Sequence, residues 1–353
     1  MKKTITAVIL ACLIMMTSCA AENKENAQYG ISDQKLSSEP SVRDLFAMDT
    51  FMTLKAYGEN SDEALGKAAE AILMLEKKLS VTDEESDIWA VNHSGGKSTE
   101  ISTQTAEIID YALGISEMTD GALDISVYPV LREWGFTTDS PAVPEQSVID
   151  EQLKKVDYGK IVLNDGTVCL PEYMQIDLGA AAKGYTSDLV TDILREYGIG
   201  SAVISLGGNV QTVGAKPDGS SWKIAVRDPF DENGAQTGVL SVKDKAVITS
   251  GDYERYFIGE DGKKYFHIID PSDGYPADNG LVSVTIVSNS GLMCDCLSTA
   301  VFVMGREKAC DYWRNNKGFE MILINDSGEV YVTEGIAEDY QDSSGKGFSV
   351  ISD

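Results

Sequence analysis

The fold is limited above all by a run of consecutive strand-like segments between Ser201 and Ser288. They read "SAVISLGGNVQTVG", "WKIAVRDP", "GVLSVKDKAVITS", "KKYFHIID" and "LVSVTIVS", and Gly, Asp and Pro turns separate them. Short apolar or alternating runs bounded by such turns are strand signals. Strands in succession with interspersed helices, in place of a regular βαβ alternation, define an α+β class. The expected fold is therefore a mixed, largely antiparallel sheet core with packed helices.

Helical spacing appears on both sides of this run. "SDEALGKAAEAILMLEKKL" begins with Asp62 as its expected N-cap, and "TQTAEIIDYALGISEMT" and the shorter "SVIDEQLKKV" follow. "AAAKGYTSDLVTDILREYG" ends at Gly198, and "MCDCLSTAVFVMG" comes after the last strand of the run. "LFAMDTFMTLKAYG" alternates in its later part, "GKIVLNDGTVCLP" reads as a hairpin about Asp165-Gly166, and "MQIDLG" reads as a further strand. No repeat of fixed period occurs.

Two lysines, an apolar run from Ile5 to about Met16 and small residues after it make residues 1–18 an export signal, too short for a permanent membrane span. Met16-Thr17-Ser18-Cys19 looks like a lipobox, which makes Cys19 the lipidated residue. Residues 19–43 are polar enough for a flexible tether, and 44–353 form the folded domain. The expected location is the extracytoplasmic side of the cell membrane, held by the lipid anchor. A net charge of −27 repels phosphate backbones and excludes nucleic acid as a partner. Cys169, Cys294, Cys296 and Cys310 are too dispersed for a disulfide scaffold, and their pairing is open.

Three stretches could carry chemistry. In "CDCLSTA", helical geometry sets Cys294 and Cys296 roughly 200° apart, which argues against a shared metal, whereas Asp295 and Thr299 share a face. A carboxylate and a hydroxyl suit a hard cation such as magnesium or calcium. Taken alone, however, the pair reads as a helix cap and a hydroxyl bonded back to the preceding turn. In "IDLGAAAKGY" an acid precedes a glycine turn and a helix start bearing Lys183, which suits an anion; taken alone, the small residues read as a packing device. In "YFHIIDPSDGYP", His267 is either a satisfied core histidine or, with Asp270, a proton carrier.

Together these stretches resemble the ApbE family of bacterial FAD:protein FMN transferases. "MDT", "LSVTDEESDIWAVN", "TDGALDISVYPVLREWGF", "IDLGAAAKGY", "LGGNVQTVGAKPDG", "TSGDYERYF", "HIIDPSDGYP" and "CDCLSTAVFVMG" recur in the family's order from about Ala47 to Gly305. The resemblance implies an ApbE-like fold and transfer of FMN from FAD onto a threonine hydroxyl, with AMP released and Mg2+ required. The implied acceptors are exported flavin-carrying subunits of redox complexes. It implies Mg2+ at Asp295, Thr299 and the Ala180 carbonyl, and FAD contacts at Met48, Thr82, Ala122, Leu123, Asp124, Asp177, Lys183 and Ile269. It gives His267 the catalytic role. The sequence departs from the family's usual pattern at Asp49, Leu123, Thr82 and Phe266. Two other readings share the site: a Mg2+-dependent FAD pyrophosphatase giving FMN and AMP, and a non-catalytic flavin-binding lipoprotein.

Overall fold

The computed structural model describes residues 39–138 and 140–353. Cys19, the export signal and most of the expected tether lie outside them. The first strand starts at Ser41, so residues 41–43 are part of the sheet and not of a tether.

Among the described residues a nine-stranded sheet forms the centre. Its order is Ser41–Ala47, Thr50–Tyr57, Ser201–Leu206, Asn209–Val213, Ala246–Gly251, Leu281–Ser288, Glu320–Asn325, Val330–Thr333 and Ser349–Ile351. Neighbours run antiparallel except the last pair, which is parallel, as a mixed and largely antiparallel α+β sheet requires. Leu281–Ser288 is buried at every residue. Val284 and Ile286 pack with Val301 and Phe302 of the helix Gly291–Asn315, while Val282 and Val287 join Trp222 and Leu240 on the other face. The strand is covered on both faces, with Ser283, Thr285 and Ser288 buried and hydrogen-bonded among its apolar residues, and each large apolar side chain so buried contributes about 1.5–3 kcal/mol.

The second cover is a three-stranded sheet of Tyr340–Asp342, Gln236–Val242 and Trp222–Arg227. "GVLSVKDKAVITS" is thus two strands in different sheets: Asp244, with φ of 49°, turns the chain between the layers. The expected Asp165-Gly166 hairpin forms between Val162–Asn164 and Thr167–Cys169, both turn residues having positive φ.

Local expectation fails at three places. "MQIDLG" joins no sheet, because Asn92 takes its backbone groups: Ile176 N donates to Asn92 Oδ1 at 2.8 Å and Asn92 Nδ2 donates to Ile176 O at 2.9 Å. The helix Ser61–Leu79 is capped at Asn60 and not at Asp62, which lies in its first turn and pairs with Arg43. In "KKYFHIID" the strand ends at Phe266, leaving His267 just outside it.

Candidate active site

Two helices meet at their N-terminal ends, Ala182–Glu196 and Gly291–Asn315. Asp188 of the first accepts from Gly291 N at 2.6 Å and Leu292 N at 2.9 Å, satisfying amides that a helix start leaves unpaired. Asp295 of the second accepts from Gly184 N at 2.8 Å, and its other oxygen accepts from Asn209 Nδ2 at 2.9 Å. So close an approach needs glycine on both sides. A Cβ on Gly184 would lie 2.3 Å from Gly291 O, and one on Gly291 would lie 2.5 Å from Gly184 O.

This exchange has a chemical result. A regular helix would pair Gly184 N–H with Ala180 O; here the amide turns to Asp295, and no hydrogen bond reaches Ala180 O among the described residues. The Thr299 hydroxyl has no hydrogen bond among them either. The cap of the second helix is Ser290, whose side chain accepts from Met293 N, so the cap-and-back-bond reading of Asp295 and Thr299 does not hold. A carboxylate, a hydroxyl and a carbonyl are left with open lone pairs, and such oxygens could hold a hard cation. The neighbouring thiols are not in the cleft lining: Cys294 Sγ lies 3.3 Å from Ser288 Oγ and 3.7 Å from Ala246 O, and burial pushes it up to about 12 and holds Cys296 well above its ordinary range. The four cysteines are unbridged.

These groups open on a cleft of about 1150 Å³, whose walls also carry Met48, Thr82, Ala122, Leu123, Asp124, Asp177, Lys183, His267 and Ile269. Every site residue that the family resemblance implied therefore lines one space, whereas Asp270, Cys294 and Cys296 do not. Met48 and Asp49 form a two-residue hairpin turn, both with positive φ, where Asn-Gly is the favoured pair. Met48 N is fixed to Glu76 at 2.7 Å, and Asp49 pairs with Arg255 at 2.8 Å across the cleft wall. Thr82 sits exposed on a loop that Ser80 Oγ shapes by accepting its amide. Asp124 shapes the opposite loop: its oxygens accept from Ser126 N, Ser126 Oγ and Tyr158 N, and burial raises its pKa despite them. Ile269 is a buried wall residue.

Asp177 accepts from Gly179 N at 2.8 Å, and desolvation raises its pKa against the pull of that bond, Lys183 and Arg255. Lys183, in the first turn of its helix, makes no hydrogen bond or ion pair among the described residues. His267 is pushed down to about 4, chiefly by burial and then by Arg255 and Lys183. Its ring is therefore neutral at ordinary pH, and its buried Nδ1 has no hydrogen-bond partner among the described residues. Asp270 makes no hydrogen bond to the ring among the described residues; its Oδ1 accepts from Ser272 N at 2.8 Å. Sequence reasoning missed Gly184, Asp188 and Asn209; the Gly-Gly-Asn turn was the one local signal for the last. The arrangement can place an anion beside a free ammonium, a hard cation and an unprotonated imidazole.

The sequence pattern of the ApbE family matches residues 48–323. The chain belongs to the ApbE family. It is 33% identical over 308 residues to a FAD:protein FMN transferase of Klebsiella pneumoniae strain 342, covering 86% of this chain and 93% of that one. A protein of the same name from Treponema pallidum is 31% identical, over 82% of this chain and 85% of its own. Among solved structures, the ApbE protein of Thermotoga maritima superposes with a TM-score of 0.80 at 32% identity, over 85% of this chain and 99% of that one. The flavin transferase ApbE of Vibrio cholerae gives 0.77 at 28% identity, with the same coverage. The chain thus shares the mixed α+β ApbE fold of these structures.

Proposed function

We propose that this chain transfers the FMN half of FAD to a threonine hydroxyl of an exported protein, releases AMP, and uses Mg2+ at Asp295, Thr299 and Ala180 O. The observation that carries this reading is the Gly184 amide turned from Ala180 O to Asp295, which leaves a set of hard oxygens open beside Lys183. Bound there, Mg2+ would neutralise diphosphate oxygens and the charge on departing AMP. Lys183 supplies a second positive charge to the same anion, in a protein whose net charge of −27 would otherwise repel it. His267, neutral and in the wall of the cleft, takes the proton of the incoming hydroxyl on a ring nitrogen. The threonine oxygen bonds to the flavin-side phosphorus as the bond between that phosphorus and the AMP oxygen breaks.

The lipid on Cys19 would hold the domain at the extracytoplasmic face of the cell membrane, where exported subunits of redox complexes are its acceptors. Incubation with FAD, Mg2+ and such a subunit should give AMP and an acceptor heavier by one FMN in mass spectrometry. FMN and AMP without labelled protein would instead identify a pyrophosphatase, and retained FAD without AMP a binding protein.

A further inference from the structure

Trp222–Arg227 is the outer strand of its three-stranded sheet, paired on one side with Gln236–Val242. Beyond that pairing, a single bond from Thr237 Oγ1 to Val226 O touches its backbone, so its outer edge is unpaired among the described residues. Lys223, Ile224, Ala225 and Arg227 all line the cleft. Successive side chains of a strand point to opposite faces, so three consecutive residues on one wall mean that the strand presents its edge.

An open edge is usually guarded against stray pairing, and a charged side chain is the common guard. Here the edge lies within the wall of a cleft that also holds His267. Its two cations make no salt bridge among the described residues: Lys223 donates to Ser241 Oγ, and Arg227 stacks over the Tyr253 ring at 5.0 Å. The cleft, at about 1150 Å³, also exceeds the roughly 300–1,000 Å³ of sites for one small ligand.

We propose that this edge is the docking site of the protein acceptor, which adds an extended, acidic segment as a further strand and so carries its hydroxyl residue into the cleft. The proposal rests on the transferase reading. Backbone bonds along the edge supply affinity that tolerates many sequences, while Lys223 and Arg227 select acidic flanks.

The test uses the purified chain with FAD, Mg2+ and an exported redox-complex subunit that the wild type flavinylates. The double variant Lys223→Glu, Arg227→Glu should raise the acceptor KM by about tenfold or more, with kcat and acceptor-free AMP release unchanged. Ala225→Cys should form disulfides with single cysteines placed at alternate positions along the acceptor segment, following the two-residue period of a paired strand. An unchanged KM, or crosslinks at consecutive positions or at none, would overturn the proposal. A parallel fall in acceptor-free AMP release would assign the strand to the FAD site and overturn it equally. A wild type that releases AMP but labels no protein refutes the transferase reading itself, an outcome distinct from normal labelling by both variants.

Discussion

Gly184 N donates to Asp295 Oδ2 at 2.8 Å, a buried bond between two helices whose residues are 111 positions apart. It fixes the carboxylate and opens the Ala180 carbonyl in one contact, so the integrity of the helix pair and the chemistry of the cleft stand together.

Asp295→Asn keeps the side chain's shape and removes the charge that a hard cation needs. Magnesium-dependent AMP release should fall by roughly 10²-fold or more. The double variant Cys294→Ser, Cys296→Ser should keep most of the activity per folded molecule, since buried, protonated thiols are not ligands. Zinc copurifying with the wild type, and the reverse order of activities, would refute the oxygen site.

Gly184→Ala tests the helix contact. The added Cβ would meet Gly291 O at 2.3 Å and Asp295 Cβ at 2.6 Å, backbone and near-backbone atoms that cannot swing aside. Overpacking of this kind costs about 1–3 kcal/mol, readable as a lower urea midpoint with an unchanged slope. Activity per folded molecule should also fall, because the helices that bring Asp295 to Ala180 O are forced apart.

For His267 the direction follows from its two environments. The unfolded ring titrates near 6.5 and the folded one near 4, so the unfolded chain takes up the proton first as pH falls. This residue's contribution to stability is whole above pH 6.5 and is lost as pH drops through about 4. His267→Gln should flatten that part of the curve of stability against pH. In the wild type, transfer should hold steady through pH 6.5 and decline only on approach to about 4, and the variant should lose roughly 10²–10⁴-fold in transfer rate. A wild-type rate that halves near pH 6.5 would contradict the base assignment.

Cys19→Ala should move the protein from the membrane to the soluble fraction. Acyl chains contribute about 0.8 kcal/mol per buried methylene, and a polar tether offers no substitute. AMP release in solution should survive, because the cleft is lined by residues from Met48 onward. Membrane retention of the variant with lipid still attached would exclude Cys19 as the anchor.

The sequence by itself determined the helices at Ser61–Leu79, Thr103–Met118 and Ala182–Glu196, the Asp165-Gly166 hairpin, and the buried strand Leu281–Ser288. Each is written in a local period or a turn residue. It also marked Asp295, Thr299, Lys183 and His267, although their local readings as cap, packing device and core residue competed with function. Only the tertiary structure set aside the reading of Asp295 and Thr299 as a cap and a back-bonded hydroxyl. Asp295 holds the Gly184 amide, and "MQIDLG" is fastened to Asn92, 84 residues away in sequence for Ile176, instead of to a strand. The strands Glu320–Asn325 and Val330–Thr333 lie beyond the run that the sequence made plain; the first took its place by pairing with Leu281–Ser288, and the second by pairing with the first. Periodicity reports which face of an element is apolar. It carries no information about which remote amide will reach a given oxygen, and that pairing is what leaves the Ala180 carbonyl open.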